Sequence, residues 1–190
     1  EYPREETLSI EEMKRDVGTP QDLVADLAPE LSGHKTKWME TASKYGVHMR
    51  WSEKGRKNQN HAAEGEINHL KQRWKRCMTE KNVPARLWDR SLVHEAQIMS
   101  LLARGGNNRS GYEQVTGRTP DISEYLDFGF YDLVWYHPGG GQKQDTVDET
   151  RRLGRWLGVS HRVGSDMCYW ILTVSGKIIA NTSVQHVIRT

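Results

Sequence analysis

Apolar and polar positions in the first half of the chain switch repeatedly between a helical and a strand period, and this alternation predicts an α/β fold rather than all-α or all-β. Residues 8–15 read as a short helix ending before Gly18 and Pro20, and Asp22–Ala25 as a short buried strand leading into Asp26. Ser32 is placed to cap a helix that buries Trp38, Met39, Ala42 and Tyr45 and stops at Gly46. Val47, Met49 and Trp51 then alternate with His48 and Arg50, as in a half-buried strand. Residues 52–60 are polar and read as a loop. A helix over 62–78 follows, and Pro84 opens another running to about residue 103. The second half changes character. Runs at 131–136, 152–160, 168–174 and 177–181 are short and rich in β-branched or aromatic residues, and glycine-bearing turns separate them, which predicts a small antiparallel barrel.

The 190 residues are 36% hydrophobic, enough for one moderate core and a smaller satellite. Cys77 and Cys168 are far apart in sequence, with no Cys or His near either at zinc-ligand spacing. Neither a metal knuckle nor a disulfide framework is indicated, and a reducing, intracellular setting fits best. No apolar run approaches the roughly 20 residues that span a bilayer, and no signal-peptide pattern opens the chain. The start at Glu1, without an initiator Met, suggests a piece of something longer.

A net charge of +2 hides an uneven distribution. Residues 1–30 hold three basic and nine acidic side chains, 31–90 hold fourteen and six, and 91–190 hold ten of each. A basic middle segment is the footprint of a surface that tracks phosphates, although a solvated helix face is the commoner cause. On the helix beginning near Asn60, Ile67, Leu70, Trp74, Cys77 and Met78 share one stripe at 100° per residue. Asn68, Lys71 and Lys75 fall close to Glu64 in angle, forming a column of one carboxylate, one amide and two ammonium groups. Such a column suits a metal at its top and phosphates below it; the plain alternative is the polar edge of an amphipathic helix. Asp26 at a strand exit and Glu64 at a helix start can converge, as two-metal phosphoryl transfer requires. The plain alternative for Asp26 is a turn or helix cap.

These residues resemble a family. Leu23-Val24-Ala25-Asp26-Leu27-Ala28-Pro29-Glu30-Leu31 and Gln59-Asn60-His61-Ala62-Ala63-Glu64 are similar to the second-Asp and final-Glu regions of copia-type retrotransposon integrases, with 37 residues between the two acids. The resemblance continues through Pro84, Leu87-Trp88, Tyr112-Glu113, Thr116-Gly117, Pro120-Asp121-Ile122-Ser123 and Phe128-Gly129. Leu153-Gly154, Leu157-Gly158, Gly176, Ile178-Ile179 and Ser183-Val184 look like the SH3-like domain that follows the integrase core. The chain departs from the pattern at Leu27, where Gly is usual, and at Glu53-Lys54-Gly55-Arg56-Lys57, where a Pro-bearing loop is usual.

The resemblance implies the carboxy-terminal part of an RNase H-like core over 1–105, a linker over 106–128 and a small SH3-like antiparallel β-barrel over 129–190. It implies DNA 3′-end processing and strand transfer, with Asp26 and Glu64 as catalytic acids and ligands for two Mg²⁺ or Mn²⁺ ions. Asn60, Asn68, Lys71 and Lys75 would contact DNA, with Arg73 and Arg76 further round the helix. The partners implied are element ends and target DNA, with self-association into a homo-oligomer, in a nucleus or cytoplasmic particle and away from membranes. The family's first catalytic Asp stands well upstream of the second, and neither Asp16 nor Asp22 fits that place, so the chain alone is expected to be inactive. A non-catalytic nucleic-acid-binding module and a structural segment of a polyprotein, with Trp74 and Trp88 at a subunit contact, are the other readings. Trp135, Trp156 and Trp170 could stack on bases, but single aromatics on short strands are more often core.

Overall fold

The computed structural model describes residues 10–15, 18–25, 36–53, 61–104, 108–138, 151–161, 163 and 167–187. The chain divides into two compact units, Glu1–Asn68 and His69–Thr190. It is mixed α/β, and the larger unit carries a five-stranded antiparallel sheet.

In the first unit, residues 10–15 are helical. Strand β1 (Asp22–Ala25) pairs in parallel with β2 (His48–Trp51), Asp22 opposite His48 and Ala25 opposite Trp51. Parallel neighbours need a crossover, and helix α1 (Lys37–Lys44) lies within it. The cap of α1 is Thr36, whose hydroxyl accepts from the Met39 N–H at 3.3 Å. The cap is thus Thr36 and not the expected Ser32, which lies outside the described residues: Thr36 has the extended backbone that a cap needs, and the first helical turn starts after it. The helix ends as expected at Gly46, whose φ of +67° suits a residue without Cβ. Ile10, Ala42 and Val47 form this unit's core, with Leu23, Trp38, Tyr45 and Met49 packed on it.

Helix α2 (His61–Glu80) has no fully buried residue, and Ile67, placed on its apolar stripe by periodicity, is 49% exposed. Only the lower stripe is covered: Cys77 and Met78 pack on a cluster of Val83, Leu87, Phe130, Leu157 and Leu172. The helix stops at Asn82, which takes a left-handed φ of +49°, while the next N–H, that of Val83, donates to Met78 O at 3.0 Å. This is a Schellman-type ending in which the residue after the left-handed turn tucks into the core. Pro84 opens a 3₁₀ turn (Ala85–Leu87) leading into α3 (Trp88–Leu101). A two-residue hairpin follows, β3 (Ala103–Arg104) with β4 (Arg109–Ser110), and then α4 (Gly111–Thr116), held by a reciprocal capping box between Ser110 and Glu113.

The main sheet comprises β5 (Leu133–Tyr136), β6 (Arg152–Val159), β7 (Tyr169–Thr173), β8 (Ile178–Asn181) and β9 (Val184–His186). Its order is β8-β7-β6-β5-β9, so four consecutive strands meander and the last returns to pair with the first. Successive side chains point to opposite faces. Trp156 and Ile171 enter a cluster with Phe128, Val134, Tyr136 and Tyr169, while Leu157 and Leu172 enter the cluster beneath α2. The four predicted runs became β5 to β8 within two residues at either end; β9 was not predicted as a strand. Cys77 and Cys168 are free thiols. Among the described residues no helix is long and apolar enough to cross a membrane.

Gly154 on β6 faces Ile171 and Tyr136 so closely that an added Cβ would stand 2.5 Å from Ile171 Cγ2 and 3.0 Å from Leu172 O. Gly65 on α2 would meet nothing within 4 Å. Gly154→Ala is therefore expected to destabilise the fold by about 1–3 kcal/mol through overpacking. Gly65→Ala should be neutral or stabilising by up to about 1 kcal/mol, by helix propensity. Urea midpoints of the two variants against wild type check both.

Candidate nucleic-acid interface

The polar column of α2 is the surface on which the sequence concentrates candidate chemistry. Glu64, Asn68, Lys71 and Lys75 are all exposed, as helical periodicity on an edge away from the apolar stripe dictates. Among the described residues no ion pair takes a member of this column. Glu64 stands in the helix's first turn, where the helix dipole favours a carboxylate. Arg73 lies round the helix and is already engaged: its Nε donates to Glu95 Oε2 of α3 at 2.9 Å, and Glu95 is 9% exposed. A buried carboxylate needs such a partner, so Arg73 is committed to the packing of α2 on α3. Arg76 is exposed. Trp74 donates from Nε1 to Trp88 O at 3.1 Å, and the Trp88 ring remains 54% exposed.

Asp26 and Asn60 lie outside the described residues. Among the described residues no three His, Cys, Asp or Glu side chains gather into a metal-holding group. Glu64 does offer the hard oxygen donor that Mg²⁺ or Mn²⁺ prefers, on an exposed and uncommitted side chain.

A second cluster of chemistry was not read from the sequence. His94 on α3 is 7% exposed and stands edge-on to Trp156, with ring centres 5.4 Å apart, and tilted against Phe130 at 5.3 Å. Its Nδ1 and the Nε1 of Trp156 are buried without a hydrogen-bond partner among the described residues. Burial lowers the His94 pKa below the ordinary 6.5, opposed by nearby Glu95 and aided by Arg73. Beside it, Tyr125 Oη lies 2.8 Å from His161 Nε2. Burial, then the charge of Glu124, pushes the Tyr125 pKa up to about 12, so it stays a neutral phenol. These side chains come from α3, a 3₁₀ turn (Ser123–Tyr125), β6 and the turn after β6, and no local motif announces their meeting. The one hint in sequence was Gly158 inside a strand, since glycine there marks a bulge or a close approach.

Of the three strand tryptophans, Trp156 is fully buried, so the core reading holds for it; Trp135 and Trp170 are half-buried.

No protein-family model matches this chain, and no curated protein matches it. Among solved structures it is similar to a chain in the cryo-EM structure of the simian T-cell lymphotropic virus intasome in complex with the PP2A regulatory subunit B56 gamma. The identity is 10% and the TM-score 0.53, over 100% of this chain and 66% of that one. At that identity the likeness is one of fold alone.

The His94 environment predicts an acid-side loss of stability. Because its folded pKa lies below the unfolded value, the unfolded chain takes up a proton that the folded chain refuses. The neutral ring's packing is therefore fully available above about pH 6.5, and stability falls as pH drops below that value until the folded pKa is reached. The slope due to this residue is at most about 1.4 kcal/mol per pH unit. His94→Phe, which keeps a ring but cannot be protonated, should flatten the dependence by that amount. Urea titrations of both proteins between pH 7.5 and about pH 5 check it; an unchanged slope would sink this account.

Proposed function

We propose that this chain is part of an integrase-type polynucleotidyl transferase of the copia-type retrotransposon family, acting in DNA 3′-end processing and strand transfer. The observation that carries the reading is the fold likeness to an intasome chain, which extends over all 190 residues. The exposed, uncommitted column on α2 supports it by offering phosphate-binding groups of the right sign. In this reading the parallel β1–β2 pair with its crossover helix belongs to an RNase H-like core, extending to about residue 105. A connection over 106–128 then leads to an SH3-like barrel from residue 129 on, the five-stranded antiparallel sheet.

Lys71 and Lys75 would hold phosphates, and Asn68 would hydrogen-bond the backbone or a base edge beside them; Asn60, next to His61 in sequence, and Arg76 on the flank would extend the contact. Such phosphate contacts position DNA without choosing its sequence. Glu64 and Asp26 would be the carboxylates that hold Mg²⁺ or Mn²⁺. When bound, the ions would supply the Lewis acidity for in-line attack by a water or a 3′-hydroxyl on a phosphodiester. A site of this kind uses three acids, and the resemblance assigns two here, which leaves a weakly held cation at most.

Two measurements test the reading. Charge reversal at Lys71 and Lys75 together should weaken duplex DNA binding regardless of sequence and flatten its salt dependence by about one unit per lost phosphate contact. Unchanged affinity and slope would return the column to a solvated helix face. Salt-insensitive self-association without DNA binding would favour a structural segment, with the exposed Trp88 at its contact. The 190-residue chain should neither cut nor join DNA with Mg²⁺ or Mn²⁺ present. In a longer chain that includes an upstream third acid, metal-dependent joining should appear, and Glu64→Gln should abolish it with the fold intact. Cleavage by the 190-residue chain that survives Glu64→Gln would place the chemistry on other residues.

A further inference from the structure

A cavity of about 390 Å³ lies in the larger unit between one face of α3 and the bulged end of β6. That volume is at the small end of the roughly 300–1,000 Å³ typical of ligand clefts, suited to one flat ring with its sugar and not to a duplex. The helix contributes Arg90, Val93, His94 and Gln97, and the sheet contributes Gly158 and Trp170. The opening depends on an irregularity. Pairing of β6 with β7 slips between Trp156 and Val159, and Gly158 within the slip has a φ of +115°, which side chains rarely adopt. A Cβ at Gly158 would stand 3.7 Å from His94 Nδ1, against the ring that lines the cavity. Bulges of this sort often re-aim side chains beside functional sites.

The walls combine flat rings with hydrogen-bonding edges. His94, His161 and Trp170 are rings. Gln97 and His161 are joined through Tyr125, whose hydroxyl lies 2.8 Å from His161 Nε2 and 3.5 Å from Gln97 Oε1. With its oxygen turned to Tyr125, Gln97 keeps its amide N–H groups to donate elsewhere. The charges do not suit a buried anion: Asp89 and Arg90 offset one another at the wall. Arg90 stands over the Trp170 ring, 5.8 Å from its centre. A neutral, planar, hydrogen-bonding ring fits within, with a phosphate outside near Arg90.

We propose that this cavity accepts a single unstacked nucleobase from a single-stranded nucleic-acid segment. The inference rests on the DNA-handling reading above and adds a base-binding site away from the α2 column. Aromatic stacking with a few edge hydrogen bonds is how proteins hold splayed bases.

The test uses the 190-residue chain and a short single-stranded oligodeoxynucleotide carrying 2-aminopurine, moved one position at a time. One position should lose fluorescence on binding, and an abasic nucleotide there should weaken affinity about tenfold. Val93 is 56% exposed at the cavity wall, so Val93→Trp should fill the mouth without disturbing the core. It should remove the quench and cost a similar factor, as should Gln97→Leu, while affinity for blunt duplex and its salt dependence stay unchanged. If no position is quenched, if abasic substitution costs nothing, or if the quench survives Val93→Trp, the base site is overturned and the duplex-binding reading stands. Val93-dependent capture of a tryptophan-bearing peptide, with no base-dependent signal, would overturn it in favour of a protein partner. Absence of binding to single strand and duplex alike would overturn both readings.

Discussion

The larger unit hangs on Trp156. Its indole is fully buried and meets Phe128, Tyr169 and His94, with ring centres 5.4 to 6.1 Å away, so one side chain joins the sheet's inner face to α3. Its backbone is equally committed. The Trp156 N–H donates to Asp132 O at 3.0 Å, and its carbonyl accepts from the Tyr131 N–H at 2.7 Å. Those bonds hold Tyr131 at a φ of +64°, a left-handed conformation that is costly for a residue with a bulky side chain. Arg155 braces the same residue, with its guanidinium over the Tyr131 ring and a hydrogen bond to the Tyr131 carbonyl. The start of β5, the centre of β6 and the inner side of α3 are thus fixed by neighbouring residues of one strand.

That concentration of packing has a polar consequence. Trp156 Nε1 and His94 Nδ1 are both buried without partners among the described residues, a cost of about 1–3 kcal/mol for each such group. The aromatic contacts offset it, and His94 stays in place as a neutral ring. Directly beyond, the strand slips its register at Gly158, and the space that this leaves is the cavity beside α3. Dense packing at Trp156 and the opening at Gly158 lie at the same irregularity, the register slip between Trp156 and Val159.

Helix α2 shows the opposite economy. It buries almost nothing along its first turns, and what anchors it is the lower end, through Cys77, Met78 and the Arg73–Glu95 pair. Its upper face therefore carries charge at little folding cost. A helix of this length with an exposed basic edge matches a surface used for binding more readily than one used for packing.

What the sequence determined by itself is the order and type of the longer elements; the β3–β4 hairpin, α4 and β9 were not read from it. Periodicity located β1, α1, β2, α2, α3 and four strands of the sheet because each buries a face at a fixed spacing that side-chain polarity reports directly. It also placed Glu64, Asn68, Lys71 and Lys75 on one exposed edge, since angle around a helix is a local property. It misjudged what depends on neighbours far along the chain. Ile67 has the right angle for a core position but is 49% exposed. Periodicity could not show that Arg73 pairs with Glu95, 22 residues on, because that contact depends on how α2 meets α3. Capping went to Thr36 in place of Ser32, because a cap is set by where the backbone turns and not by residue type alone. The meeting of His94, Tyr125, Trp156 and His161 belongs wholly to tertiary structure: four residues from separate elements share one site only because the sheet folds back against α3.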